Sequence, residues 1–375
     1  MRILGVLVDL GRPRRHSLLR DLADDLLERE LLLGEGVRVG CGLSRDVVDY
    51  ADVVLVAPDS FKGTLSAVQV ARAIAAGLRK GGAEAIEMPI GDGGEGTMEA
   101  LVATLGGEYR EAEVSDPLGR PVTARFALLP DGRAVVETAQ ASGFALVAEK
   151  DRDPWAASTR GTGELIVAAV EAGAQNVLVT VGGSATMDGG AGAVEVLDEA
   201  GVDPKLEVLC DVRLPFEQAP SVFGPQKGAD AKMVKRLERR LDKFAAAAPR
   251  DPRGVPMTAA AGALSGGLYA YRKAKLVLGA AYVLDTLGFD DRMREARAVV
   301  TGEGKLDQQT LAGKAVGEVA TRCRQAGVWC HAVVGTNALD QFAIRLLDFA
   351  SVRAAGTEKE LRHVGYSLAR ESGVT

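Results

Sequence analysis

A chain of 375 residues has room for two domains with full hydrophobic cores, at about 150 residues each. Its 47% apolar and 26% charged residues exclude a mainly disordered chain, and a net charge of −6 excludes a global positive field that would collect nucleic acid or anionic lipid. Four scattered cysteines and three histidines argue against a disulfide framework or zinc site and for a reducing cytoplasm; no apolar run reaches the roughly 18 residues that span a bilayer.

Residues 1–50 carry a Leu-, Arg- and acid-rich stretch of helical spacing over 17–33 and read as an N-terminal extension. The run VVLVA then predicts a buried strand ending at Pro58-Asp59, followed by a helix over 66–78 and a second short strand in AIEMPI. A helix over 97–105 precedes an alternating stretch, 111–136, whose VTARFALLPDGRAVVE segment predicts a hairpin turning at Pro130-Asp131-Gly132. Helical spacing returns at 164–172, VLVTVGG predicts a strand running into a glycine-rich turn, and 232–248 predicts a charged amphipathic helix. The tail repeats the opening rhythm: strand AVVTG, helix 315–325, strands WCHAVVG and FASVRAA, helix 359–370. The shared rhythm of the two ends predicts a discontinuous α/β domain, 51–113 plus 290–375, with a second α/β domain, 114–289, inserted into it.

Glycine is in excess, 45 residues in all, and it gathers in six clusters: 59–63, 91–97, 182–190, 226–228, 262–267 and 301–307. Most are expected to close a strand and open a helix, where free backbone N–H groups and the helix dipole suit phosphate. Several also carry Asp or Glu, which a magnesium–nucleotide complex needs and a bare phosphate repels. Residues 91–96 match GxGxxG, but Asp92 and Glu95 would lie against a pyrophosphate, so a nicotinamide oxidoreductase is the weaker reading. No Walker A or protein-kinase signature is present.

Single residues keep two readings at this point. Lys62 and Lys227 are solvated lysines or, inside glycine-rich turns, anion contacts. Asp59 is a poorly placed helix cap or a strand-end site carboxylate, and Asp188 a turn residue or a general base. Cys210 and the histidines read as packing or surface groups.

In order, APDSFKGTLSA (57–67), PIGDGGEGT (89–97), VGGSATMDGGAG (181–192), LCDV (209–212), FGPQKGA (223–229), GALSGG (262–267) and TGEGKLDQQTLAGK (301–314) resemble the blocks of the type 1 glycerate kinase family. The resemblance implies two α/β domains, one flavodoxin-like (Rossmann-like) and one restriction-enzyme-like, flanking a cleft. It also implies ATP- and Mg²⁺-dependent phosphorylation of D-glycerate, at the 2-hydroxyl in bacterial members. Met187 and Leu214-Pro215 stand where the family usually has Asn and Asn-Pro, a loss of polar groups beside the expected site; a binding or regulatory homologue is therefore the alternative.

On the kinase reading, Asp188 is expected as base, with Lys62 and Asp59 catalytic. Ser60, Gly93, Gly94, Glu95, Gly182, Gly183, Ser184, Lys227, Gly302, Glu303 and Gly304 are expected to bind substrate or nucleotide, and Asp92, Asp211 and Asp307 the metal. Expected partners are glycerate and ATP, with a homodimer allowed for and neither nucleic acid nor membrane among them.

Overall fold

The apolar runs become the central strands of two sheets. The computed structural model describes residues 53–311 and 314–371, all within the unit Asp49–Thr375; the N-terminal extension lies outside the described residues. The strands are β1 (Val53–Val56), β2 (Glu84–Glu87), β3 (Glu108–Ser115), β4 (Pro121–Leu128), β5 (Arg133–Glu137), β6 (Asn176–Thr180), β7 (Lys205–Cys210), β8 (Lys275–Leu278), β9 (Ala298–Leu306), β10 (Trp329–Asn337) and β11 (Ser351–Ala354). One sheet, ordered β11-β10-β9-β1-β2, is parallel throughout. The other, β3-β4-β5-β6-β7-β8, is antiparallel through β3, β4 and β5 and parallel from β5 to β8. The first sheet thus draws on both ends of the described chain and the second on its middle.

The helices used below are α1 (Ala67–Lys80), α2 (Thr97–Leu105), α3 (Arg160–Glu171), α4 (Ala191–Glu199), α5 (Ala231–Ala246), α6 (Ala260–Arg272), α7 (Gly279–Thr286), α8 (Phe289–Glu295), α9 (Ala315–Ala326) and α10 (Glu358–Glu371). Strand side chains alternate between faces, so each central strand serves two layers. From β1, Val54 and Val56 pack with Ile74, Leu78 and Leu361 of α1 and α10, while Leu55 points the other way. There Leu55 joins Val299 of β9 and, from the second sheet, Val135, Leu178 and Leu209. Met98 and Leu101 of α2, Val283 and Leu284 of α7, Phe289 of α8 and Val319 of α9 fill this shared layer. The opposite face of the second sheet packs Val136, Val177, Val179 and Val208 against α3, α4 and α6. Each such fully buried leucine stabilises the fold by about 1.5–3 kcal/mol, and because one cluster belongs to both sheets, their relative placement is held by apolar packing.

Local signals explain the element ends. Ser66 caps α1 in a reciprocal capping box with Gln69, and the hairpin turns as expected, Gly132 donating its N–H to Leu129 O at 3.0 Å. Two expectations need correcting. The strand begun by AVVTG does not end there: β9 runs to Leu306, with Gly302 opposite Val333 and Lys305 opposite Thr336 of β10. The 301–307 cluster is therefore mostly strand, because Gly302, where a Cβ would stand 2.1 Å from Val333 O, lets the neighbouring backbone come close. The 262–267 cluster follows no strand: it starts in a left-handed turn at 261–263 that interrupts α6 and continues into the helix beyond it.

Candidate active site

Parallel strands end together, and the loops that leave their C-terminal ends meet. Val181, just past β6, donates its N–H to Gly93 O beyond β2 at 2.9 Å, so the two sheets are joined by a backbone hydrogen bond at this point. Gly94 and Gly182 pass so closely that a Cβ on Gly182 would stand 2.6 Å from Gly94 Cα. Asp59, past β1, donates its N–H to Gly302 O of β9 at 2.8 Å. Asp211 follows β7 directly. The glycine clusters at 59–63, 91–97 and 182–190 thus share one end of the molecule, where open α/β sheets bind their ligands.

Four carboxylates and two ammonium groups make up the polar centre. Asp92 is 2% exposed; its Oδ1 accepts the N–H of Gly94 at 2.9 Å, and its Oδ2 faces Lys62 Nζ at 3.5 Å and Lys314 Nζ at 3.9 Å. Asp59, also buried, accepts the N–H of Ser60 at 2.6 Å, and burial followed by repulsion from Asp92 pushes its pKa up to about 8. Asp211 is raised as well, by burial and then by Asp92. Glu303 is pushed up to about 7 by burial, against a stabilising hydrogen bond from the Thr310 hydroxyl. Partial desolvation works against the Lys62 charge, but Asp92, Asp59 and Asp211 outweigh it and hold its pKa above the usual value. Negative charge is in excess here, and burial with the nearby Asp92 carboxylate disfavours the ionised forms of Asp59 and Asp211.

Other expected site residues have different surroundings. The Asp188 carboxylate accepts four hydrogen bonds: from Thr159 N and Oγ1 at 2.9 and 2.8 Å, from Gly190 N at 3.1 Å and from Gly192 N at 3.1 Å. It ties the start of α4 to the residue that precedes α3, which engages the oxygens a general base would need. Asp307 accepts the N–H of Gln309 and pairs with Lys305 Nζ at 3.8 Å, a turn-closing arrangement. Glu95 is exposed, with Oε2 beside Gly183. Gly302 and Gly304 belong to β9, so their amides sit in or beside the sheet ladder rather than in an anion loop. Lys227 is 3% exposed and donates to Thr186 O at 2.6 Å and Ser184 Oγ at 3.4 Å.

Sequence reasoning missed three features. Lys314 closes the TGEGKLDQQTLAGK block as the second cation beside Asp92, and its place in that block was the available signal. Glu137, at the end of β5, accepts the N–H groups of Met98 and Gly96, fixing the start of α2 and the 91–96 loop from the other sheet; burial raises it to about 7. Ala261, Gly262 and Ala263 form a left-handed turn with φ of 52°, 65° and 68°, which no pattern in the sequence announces.

Met187 and Leu214 do not line this centre. Met187 is fully buried in an apolar cluster with Phe216, Leu237 and Leu241, and Leu214 packs against the same cluster. The expectation that they strip polar groups from the site gives way to a packing role, and nothing supports the non-catalytic alternative. A pocket of about 110 Å³ borders the centre through Asp211 and Gly182, whereas a larger hollow of about 380 Å³, at Gly107, Pro130 and Gly173, lies at the opposite strand ends. Among the described residues no group of three or more His, Cys, Asp or Glu is arranged to hold a metal alone. Magnesium usually keeps waters and takes one or two carboxylates with substrate phosphates, a demand that Asp92 and Asp211 suit as hard oxygen donors. Among the described residues no helix is long and apolar enough to cross a membrane.

Comparison with known proteins gives consistent results. The sequence profile of the glycerate kinase family matches residues 54–205 and 194–360. A glycerate kinase of Bacillus subtilis is 39% identical over 334 residues, 78% of this chain and 87% of that protein. A glycerate 2-kinase of Escherichia coli is 38% identical over 301 residues, 70% of this chain and 79% of its own length. A crystal structure assigned as a glycerate kinase 2 from Salmonella typhimurium LT2 superposes with a TM-score of 0.76 at 32% identity, covering 86% of this chain and 98% of that one.

Proposed function

This chain belongs to the glycerate kinase family, and on that premise we propose that it transfers the γ-phosphoryl group of ATP, with Mg²⁺, to the 2-hydroxyl of D-glycerate. The observation that carries the proposal is the meeting of Asp59, Lys62, Asp92, Asp211 and Lys314 at the shared strand ends. The choice of hydroxyl follows the Escherichia coli relative named a glycerate 2-kinase.

Phosphoryl transfer needs alignment of a hydroxyl with the γ-phosphate and compensation of charge on its oxygens, with little covalent work by the protein. Lys62 and Lys314, both drawn toward Asp92 Oδ2, supply positive charge beside the acids. Asp59 takes the hydroxyl proton: one of its oxygens accepts from Ser60, and a pKa near 8 places it close to the operating pH of a general base. Asp188, engaged by four donors, positions the 182–190 loop and is replaced by Asp59 as the base. Asp92 and Asp211 would hold the magnesium ion, which supplies charge neutralisation on the transferred phosphate when bound. Glycerate and ATP are the small-molecule partners, and free Cys210, Cys323 and Cys330 accord with a reducing cytoplasm.

The test is direct. Purified full-length chain with Mg-ATP and D-glycerate is expected to release ADP and yield 2-phosphoglycerate by phosphorus NMR. A 3-phosphoglycerate signal would overturn the regiochemistry, and no phosphoglycerate above background would overturn the reaction.

A further inference from the structure

Lys227 is buried without a counter-charge. Its ammonium reaches only neutral oxygens, Thr186 O and Ser184 Oγ, and lies 5.9 Å from the centre of the Phe144 ring. Asp188 is the acid whose field reaches it among the described residues, and that carboxylate is taken up by Thr159, Gly190 and Gly192. A buried cation in such surroundings wants a negative partner.

The space for one adjoins it. The 110 Å³ pocket is lined by Lys227, Gly182, Gly183, Ser184, Asp211 and the left-handed turn at Ala261 and Gly262. Left-handed alanines persist only where their surroundings hold them. Here the turn is locked against the lysine's own acceptor, since a Cβ on Gly262 would stand 2.0 Å from Thr186 O. Turn, carbonyl and ammonium therefore form one rigid unit around a small cavity.

We propose that this pocket is a dedicated seat for an oxyanion of the reactants, the phosphoryl group or the carboxylate, and that Lys227 takes up a proton when the anion enters. This deepens the kinase reading and rests on it for the identity of the reactants. Burial holds the free lysine down to about 7, and an adjacent anion reverses that penalty. The other charged groups near it are Asp188, Asp211 on the pocket wall, and Arg152, whose guanidinium lies 5.0 Å from the Phe144 ring centre. Asp211, itself raised by burial and Asp92, and Asp59, pushed up to about 8, are the competing proton acceptors that a test must separate.

Calorimetric titration of the full-length protein at pH 8, in buffers of different ionisation enthalpy, separates them. Inorganic phosphate, Mg-ADP and D-glycerate are titrated singly. At least one is expected to bind with uptake approaching one proton, because a lysine near 7 is mostly neutral at that pH; uptake with phosphate or Mg-ADP assigns the phosphoryl group, and uptake with D-glycerate the carboxylate. Lys227→Arg, always charged, is expected to keep affinity within about tenfold and lose the uptake. Lys227→Met is expected to lose about a hundredfold in affinity. Binding by wild type without proton exchange overturns the proposal, as does uptake that Lys227→Arg leaves undiminished. Turnover of glycerate without uptake sinks only the seat; uptake without any phosphoglycerate formed sinks only the kinase reading.

Discussion

Lys62 and Lys227 stand near the strand ends of different sheets and meet opposite problems. The Lys62 side chain is 58% exposed and looks onto Asp92, in a region where carboxylates outnumber cations. Lys227 is 3% exposed and has only neutral oxygens within reach. Burial is thus resisted by surplus negative charge in one region and left uncompensated in the other. Two poorly balanced centres, one with surplus acid and one with a lysine lacking a charged hydrogen-bond partner, are linked through Asp211, which suits the proposed reactants, a metal cation with phosphate anions.

The comparison breaks most visibly at Asp59. Asp59→Asn is expected to lower kcat by about 10²- to 10⁴-fold with little change in KM for glycerate, read by steady-state kinetics. In the wild type, kcat/KM is expected to rise with pH through about 8, as the carboxyl loses its proton, and that rise is expected to vanish in the variant.

Asp188→Ala asks whether that aspartate serves chemistry or architecture. Loss of a carboxylate that accepts four hydrogen bonds is expected to destabilise the fold by about 3 kcal/mol in urea unfolding. Folded protein is expected to retain kcat within about tenfold, whereas a larger loss at full folding would return the base to Asp188.

A pH series on stability sharpens the contrast of sign. Asp59 and Glu137 bind protons in the folded chain that the unfolded chain has already shed, between their ordinary values and about 8 and about 7. Their contribution to stability therefore falls as pH rises through that window. Lys227 works the other way, since the unfolded chain holds its proton from about 7 up to the ordinary lysine value, and its contribution rises with pH there. Denaturant midpoints from pH 5 to 9 are expected to show the fall first, and Glu137→Gln to reduce it.

Smaller effects probe packing and capping. Met187→Asn, which restores the residue type usual in the family, is expected to cost about 1–3 kcal/mol by placing an amide among Phe216, Leu237 and Leu241, with no gain in kcat. Ser66→Ala, which removes the α1 cap, is expected to cost about 1 kcal/mol by thermal or urea unfolding.

Much of the fold was legible because its signals are local. VVLVA, VLVTV and the 97–105 helix have the right period, and Gly132 and Ser66 mark a turn and a helix start with residue types that suit them. The site was legible as a set of glycine-bearing blocks, but not as roles. Asp59, Asp92 and Asp188 look alike in the sequence; Asp188 is engaged by Thr159 and two glycine amides, while Asp59 is left with a single donor from Ser60. Lys314 and Glu137 escaped because their partners, Asp92 and the Gly96 and Met98 amides, are distant in the chain.

The sequence by itself determined the two-fold and 3.6-fold periods, the glycines where backbones had to cross, and the supply of acids and lysines. Tertiary structure alone decided that TGEGK would continue as strand, that Met187 would turn into an apolar cluster, and that one lysine would be buried with only neutral oxygens as hydrogen-bond partners. The physical reason is range: backbone propensity and periodicity act over a few residues, whereas desolvation and charge depend on whatever the fold brings within a few ångströms.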